Sequence, residues 1–319
     1  MGHNPSNIQE SIMTQAFTIL ISPEELAAHL DDPAWVVVDC RHQLLDHSYG
    51  RREYESGHIP GARFAEMEDD LSGVKTGRNG RHPLPDWDDF RAWLSSQGIG
   101  NGSQVIAYDD VNGVFASRLW HMLRMLGHEA VAVLDGGITA WETLDLPVDT
   151  ALPRITPATF NGEPDLSMLA SLEEVIAMAK DPGASGSGKT GALLVDARNA
   201  TRYRGEEEPV DPRPGHIPGA INLFFADNVN ADGTFKSPQM LRVRFLEGYK
   251  EISPEQSIHY CGSGVSACHN ILAQAVAGLP LGRLYPGSWS EWCAAPEREA
   301  ATGDTPFSGA SSALPPKDS

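Results

Sequence analysis

The chain has 319 residues, with 43 Asp and Glu against 24 Lys and Arg, for a formal net charge of −19. That acidity argues against nucleic acid or an anionic membrane surface as partner, and no apolar run approaches the roughly 20 residues needed to span a bilayer. Four cysteines, Cys40, Cys261, Cys268 and Cys293, have no paired spacing, which fits a reducing compartment better than a disulfide framework. No Cys-x-x-Cys or histidine cluster suggests a metal. The leader Met1 to Gln15 has neither a basic n-region nor an apolar h-region, so it does not read as a secretion signal and a cytoplasmic location is expected.

Elements alternate along the chain. Ser22-Pro23-Glu24-Glu25 is a capping box that predicts a helix to about Leu30. Trp35 to Asp39 reads as a buried strand, Asp86 to Gln97 as an amphipathic helix closed by Gly98. A strand over Gln104–Tyr108, a helix over Val114–Leu126 and a strand over Ala130–Leu134 follow. The stretch from Leu146 to about Met168 is rich in Pro and Thr and reads as a linker. The second half replays the order. A helix is capped at Ser171 and a strand covers Ala192–Asp196. Another helix follows Ser237-Pro238, then the strand Ser257–Tyr260 and a helix to Ala277. Such alternation predicts α/β domains with largely parallel sheets. Thr302 to Ser319 reads as a disordered tail.

The most informative segment is Tyr260-Cys261-Gly262-Ser263-Gly264-Val265-Ser266-Ala267. A strand ends in a cysteine, a glycine-bearing loop follows, and a helix opens at about Val265. Glycines let the backbone curl so that several N–H groups face one spot. The helix N-terminus adds partial positive charge there. A cysteine so placed is expected to react as a thiolate nucleophile, against the plain alternative of an inert buried cysteine.

The chain also repeats itself. Val38-Asp39-Cys40-Arg41 returns as Val195-Asp196-Ala197-Arg198, and Gly57-His58-Ile59-Pro60-Gly61-Ala62 as Gly215-His216-Ile217-Pro218-Gly219-Ala220. Leu134-Asp135-Gly136-Gly137 before Trp141 returns as Tyr285-Pro286-Gly287-Ser288 before Trp292. This is a duplicated domain. What both copies keep reads as scaffold, so His58 and His216 are expected to brace a turn. In the first copy of the cysteine loop, Tyr108-Asp109-Asp110-Val111-Asn112-Gly113-Val114, Asp110 takes the cysteine's place by position. The first loop should be chemically silent.

These motifs, in this order over roughly residues 16–300, resemble the tandem rhodanese-domain sulfurtransferases. The resemblance implies two rhodanese-like α/β domains at 16–148 and 169–301, joined by a linker at 149–168 and followed by the tail at 302–319. Within the family the Cys-Gly-Ser-Gly-Val loop resembles that of the 3-mercaptopyruvate sulfurtransferases. The thiosulfate-preferring branch carries basic residues after the cysteine, where this chain has neutral Gly262 and Ser263. Thiosulfate as donor and a non-enzymatic persulfide carrier stay open as alternatives.

The resemblance further implies site residues. Cys261 would carry the persulfide, cradled by Gly262, Gly264, Val265, Ser266 and Ala267. Arg202 and Arg213 would hold the donor's carboxylate, a task for which the guanidinium fork is suited. The plain alternative for each is a surface arginine paired with Glu206, Glu207 or Glu208. His82 would cross from the first domain to work with Ser263 and an acidic residue, here Glu68. Cys40, Cys268 and Cys293 read as core. No cofactor is implied. The expected partners are a small sulfur donor and a thiol, cyanide or thioredoxin-like acceptor.

Three other matches carry little. Gly183 to Thr190 satisfies a phosphate-loop pattern but follows a helix and precedes a strand, the reverse of the required order. Met1 to Ser6 fits a myristoylation pattern without any second membrane signal. A cysteine phosphatase would need Arg six positions after the nucleophile, and residue 267 is Ala.

Overall fold

The computed structural model describes residues 16–180 and 191–304. The leader, the glycine-rich segment 183–190 and the tail from 305 lie outside the described residues. The first domain holds β1 (Leu20–Ile21), β2 (Trp35–Asp39), β3 (Arg63–Phe64), β4 (Gln104–Tyr108) and β5 (Val131–Leu134). They form one parallel sheet in the order β1-β5-β4-β2-β3. Its helices are α1 (Pro23–Ala27), α2 (Tyr49–Ser56), α3 (Trp87–Ser96), α4 (Ala116–Met125) and α5 (Gly137–Thr143). The second domain holds β6 (Leu193–Asp196), β7 (Ile221–Asn222), β8 (Ser257–Tyr260) and β9 (Arg283–Leu284), parallel in the order β7-β6-β8-β9. Its helices are α6 (Leu172–Lys180), α7 (Ala200–Arg204), α8 (Pro238–Tyr249), α9 (Ser266–Val276) and α10 (Ser288–Trp292).

The local signals act as expected. Ser22 and Glu25 close a reciprocal capping box on α1, and Asp86 caps α3 through the Asp88 and Asp89 N–H groups. Ser237 caps α8, with Pro238 opening it. Strands β2 and β4 read as near-continuous apolar runs because a sheet covered by helices on both faces buries all of their side chains but the half-buried Trp35.

The duplication is structural as well as sequential. Arg41 Nη2 pairs with Asp39 at 2.6 Å and donates to the Gly57 carbonyl at 2.7 Å. Arg198 Nη2 repeats both contacts, on Asp196 at 2.6 Å and on the Gly215 carbonyl at 2.7 Å. His58 and His216 are buried and stack on Tyr54 and Tyr203, each with Nδ1 2.7 Å from that tyrosine's carbonyl. They tie the helix before the turn to the turn itself.

The two halves share one apolar core. Leu119, Trp120 and Leu123 from α4 lie in the same buried cluster as Cys268, Ile271 and Leu272 from α9, and these two helices pack against each other across the domain boundary. The proline-rich stretch between the domains is strapped to the first one. Asp149 exchanges backbone hydrogen bonds with His58, Ala158 N–H donates to Ser95, Asp165 N–H donates to Met125, and Phe160 is buried.

Strand register corrects one expectation. The Tyr108 carbonyl accepts from Cys40 N–H as the Tyr260 carbonyl accepts from Ala197 N–H. The next residue's carbonyl accepts from Ile138 in the first domain (Asp109) and from Trp289 in the second (Cys261). Asp109, not Asp110, therefore stands in the cysteine's place. Asp110 instead receives the Tyr49 hydroxyl.

Candidate active site

Cys261 sits at the carboxyl end of β8, where open α/β sheets place their sites. The thiol is buried at the floor of a pocket of ≈310 Å³ whose walls come from both domains. Gly264 N–H points at Sγ, 3.1 Å away. Gly264 has φ +79, and a Cβ there would lie 2.4 Å from the Pro286 carbonyl oxygen, so only glycine lets the loop curl this tightly. The helix that follows begins at Ser266, with Val265 as its N-cap.

Two supports hold the cysteine's backbone. Ser288 Oγ accepts from Cys261 N–H at 3.1 Å and donates to the Tyr285 carbonyl at 3.0 Å. Ser288 adopts φ 54, where its repeat counterpart is Gly137 at φ 59. A side chain kept in left-handed backbone at a cost of roughly 1–3 kcal/mol is retained here with its hydroxyl on the nucleophile's own N–H. Arg118 of α4 is the second support. Fully buried, it donates from Nη1 to the Gly264 carbonyl at 3.2 Å and from Nη2 to the His82 and Leu71 carbonyls at 3.1 and 3.3 Å. Burial pulls its pKa down, while Cys268 and Cys261 pull it back up. One cation from the first domain thus ties the cysteine loop to the segment that carries His82.

That segment crosses the boundary. Arg81 N–H donates to Ser290 Oγ at 3.0 Å, and Gly80, at φ +87, lies so close to Gly287 that a Cβ would come within 2.8 Å of its carbonyl oxygen. The crossing delivers His82 to Ser263, with Nδ1 2.7 Å from Oγ. The other ring nitrogen lies 2.9 Å from Glu68 Oε1, and Lys75 closes on the second Glu68 oxygen. Burial lowers the His82 pKa against the pull of Glu68, which favours the neutral ring. Burial works to raise Glu68, but the hydrogen bonds from His82 and Lys75 win and hold it at about 2. A charged His82 contributes to that low value, in tension with the neutral ring; Lys75 is enough to keep the carboxylate ionised. Ser263, His82 and Glu68 therefore form a continuous line of hydrogen bonds beside Cys261.

Two guanidinium groups overhang the loop. A Cβ built on Gly262 would lie 2.7 Å from Arg81 Nη2 and 3.6 and 3.7 Å from Arg202 Nη1 and Nη2. Arg202 is steered from behind by Glu208, at 2.6 Å from Nη2, and by Asp211 at 3.0 Å. Arg81 is steered by the same Asp211. Arg213 is elsewhere. Its guanidinium donates to the carbonyls of Pro296 and Ala295, and it does not line the pocket. Neither Glu206 nor Glu207 pairs with Arg202; Glu206 pairs with Arg204, and Glu207 takes the Thr201 hydroxyl.

The remaining cysteines are buried and free. Cys268 donates to the Gly264 carbonyl at 3.4 Å, and burial pushes its thiol up to about 12. Sequence reasoning missed Arg81, Arg118 and Ser288. Ser288 left a signal, as a side chain at a repeat position that is glycine in the other copy.

The rhodanese-like domain model matches residues 22–144 and again 171–295. A probable 3-mercaptopyruvate sulfurtransferase from Pseudomonas aeruginosa is 45% identical over 287 residues, spanning 89% of this chain and 98% of that protein. A putative thiosulfate sulfurtransferase from Mycobacterium tuberculosis is 36% identical over 287 residues, or 89% and 97% of the two chains. Among solved structures, SseA from Escherichia coli, described with the rhodanese fold of the 3-mercaptopyruvate sulfotransferases, superposes with a TM-score of 0.72 at 30% identity, covering 86% of this chain and 99% of that one. The chain belongs to the rhodanese-domain family, with two tandem copies, and is an enzyme of the sulfurtransferase class.

Proposed function

We propose that the protein takes the sulfur of 3-mercaptopyruvate onto Cys261 as a persulfide and passes it to a thiol, cyanide or a thioredoxin-like protein. The observation that carries the donor assignment is the pair of guanidinium groups over Gly262. Arg81 and Arg202 stand one residue from the nucleophile, and paired guanidinium donors match a carboxylate. Arg213 is left out of this clamp.

The chemistry balances without a cofactor. The Cys261 thiolate attacks the donor's sulfur, an S–S bond forms and the donor's C–S bond breaks. The electron pair goes to carbon as pyruvate enolate. The proton once on the donor's sulfur ends on the new methyl carbon. A neutral His82 bonded to Ser263 is suited to move it. The persulfide anion then faces the N–H groups of Gly262, Ser263, Gly264, Val265, Ser266 and Ala267. An acceptor nucleophile removes the outer sulfur and restores the thiolate, a ping-pong cycle.

Two guanidinium groups would also suit a thiosulfate dianion, so the deciding experiment compares the two donors. The expected kcat/KM for 3-mercaptopyruvate exceeds that for thiosulfate at least tenfold. The reverse order would move the donor assignment to thiosulfate.

A further inference from the structure

The Ser263–His82–Glu68 line ends in a pocket of imidazoles that the sulfur chemistry does not use. One ligating atom from each of His42, Glu68 and His82 lies within 4.8 Å of the others. His42 is buried, its Nδ1 faces Glu66 Oε1 at 3.6 Å, and its Nε2 is buried without a hydrogen-bond partner among the described residues. His82 likewise has one nitrogen committed, to Ser263, and the other directed at Glu68. His42 therefore has one nitrogen oriented by an oxygen and one free to ligate, the arrangement that metal-binding histidines share, while His82 exchanges its Nε2 hydrogen bond to Glu68 for the metal. His47 stands at the rim, outside that close set of three, with Nδ1 3.4 Å from Glu68 Oε1 and its side chain 60% exposed, free to swing inward.

The spacing suits a small divalent ion. Bonds of about 2.0–2.2 Å from imidazole nitrogen and carboxylate oxygen to a tetrahedral zinc put neighbouring ligand atoms roughly 3.3–3.5 Å apart. The present separations from Glu68 Oε1 are 2.9 Å to His82 and 3.4 Å to His47. The charges of Arg81 and Arg118 act on His82, and Lys75 stands on the other Glu68 oxygen. It is 45% exposed and its long stem can swing to water. His42 and His47 lie on the connection from β2 to α2, and Glu68 and His82 on the connection from β3 to α3, so no sequence spacing announces the set.

We propose that His42, Glu68 and His82, with His47 as fourth ligand, form a binding site for a divalent transition-metal ion of the zinc type. Occupancy replaces the His82–Glu68 hydrogen bond with two metal bonds and fixes a positive charge behind His82. The ring can then no longer take up a proton from Ser263. Binding stands on the cluster alone; the loss of turnover rests on the proton-transfer role given above to His82.

The test uses the full chain and zinc ion. Calorimetric titration of the Cys261→Ser protein, which removes the competing thiol, should show one zinc per chain. His47→Gln and His42→Gln, each in that background, should weaken binding at least tenfold. His47 is at the surface, so its variant keeps the fold if His42→Gln does not. In the protein with Cys261 intact, turnover should fall over the same zinc range and recover with chelator, and His47→Gln should shift the inhibition at least tenfold higher. No binding, or binding unchanged in both histidine variants, overturns the site. Binding that His47→Gln weakens, with turnover untouched, upholds the site and removes the proton-transfer role from His82.

Discussion

The two strand-end loops are the same device with different contents. In the second domain a thiol receives one N–H, from Gly264. In the first, the Asp109 carboxylate receives four, from Val111, Gly113, Phe115 and Ala116, at 2.7–2.9 Å. An aspartate side chain places an anionic oxygen two bonds beyond Cβ, and a cysteine persulfide places an anionic sulfur two bonds beyond Cβ. The first loop therefore displays, frozen in carbon and oxygen, the arrangement that the second needs only after sulfur has arrived. A donor-rich loop is a property of the scaffold, and the residue at its centre decides whether it does chemistry or holds itself together.

The comparison can be broken most severely at the nucleophile. Cys261→Ser should abolish sulfur transfer while leaving the fold intact, because the hydroxyl cannot replace the thiolate at neutral pH. Mass spectrometry after donor treatment should find one added sulfur on Cys261 of the unaltered protein. Sulfur found on Cys40, Cys268 or Cys293 would refute the assignment.

The proton path comes next. Ser263→Ala should lower kcat roughly a hundredfold or more, within the range for a general acid–base contribution, with a smaller change in KM. Arg202→Leu and Arg81→Leu should instead raise KM for 3-mercaptopyruvate, each by about 1.5–3 kcal/mol of lost charge-assisted bonding. Arg213→Leu should leave KM within about twofold. An Arg213 effect equal to that of Arg202 would show that the clamp has been placed on the wrong arginine.

Altering the silent loop should cost stability and spare turnover. Asp109→Asn turns an amide NH2 toward donors that had an oxygen, and unsatisfied buried groups cost about 1–3 kcal/mol each. Denaturant unfolding should show a loss of that order, with kcat/KM of the folded variant within a few-fold of the original. A hundredfold kinetic loss, about 2.7 kcal/mol of barrier, would bring the first loop into the reaction.

A last effect, on stability alone, concerns the joint between the copies. Burial holds His121 and His259 down at about 3 and His269 at about 4; His269 also meets the Asn112 carbonyl across the boundary, 2.9 Å from Nε2. Their pKa values in the unfolded chain lie near 6.5. The unfolded chain thus binds more protons, so the stability these neutral rings provide is complete above about pH 6.5 and is lost as pH falls toward 3–4. Between pH 6.5 and 5 the loss should reach about 2 kcal/mol per ring. His121→Phe should flatten that slope in unfolding measurements; an unchanged slope would show that His121 is not charged on unfolding.

Much of this was legible in the sequence, for identifiable reasons. The strands at Trp35–Asp39 and Gln104–Tyr108 stand where their apolar runs end, and Ser22, Asp86 and Ser237 mark helix starts by their own side chains. The two-residue strands β1, β3, β7 and β9 were not legible, since two residues have no periodicity. Asp109 and Asp110 could not be told apart by counting, because seven residues separate strand from helix in the first loop and five in the second. Only the pairing of Tyr108 and Tyr260 fixes the match. Arg81 and Arg118 were hidden because a side chain that serves the other domain carries no local mark.

The crossing segment Gly80–His82 has a hereditary consequence. A duplication begins as redundancy, with either copy able to cover for the other. Here one copy holds the strand-end thiol, and the other supplies Arg81, His82 and Arg118 around it. Neither can now be lost, and a defect in the silent copy cannot be masked by the working one. What started as a spare has become half of a single indivisible instrument.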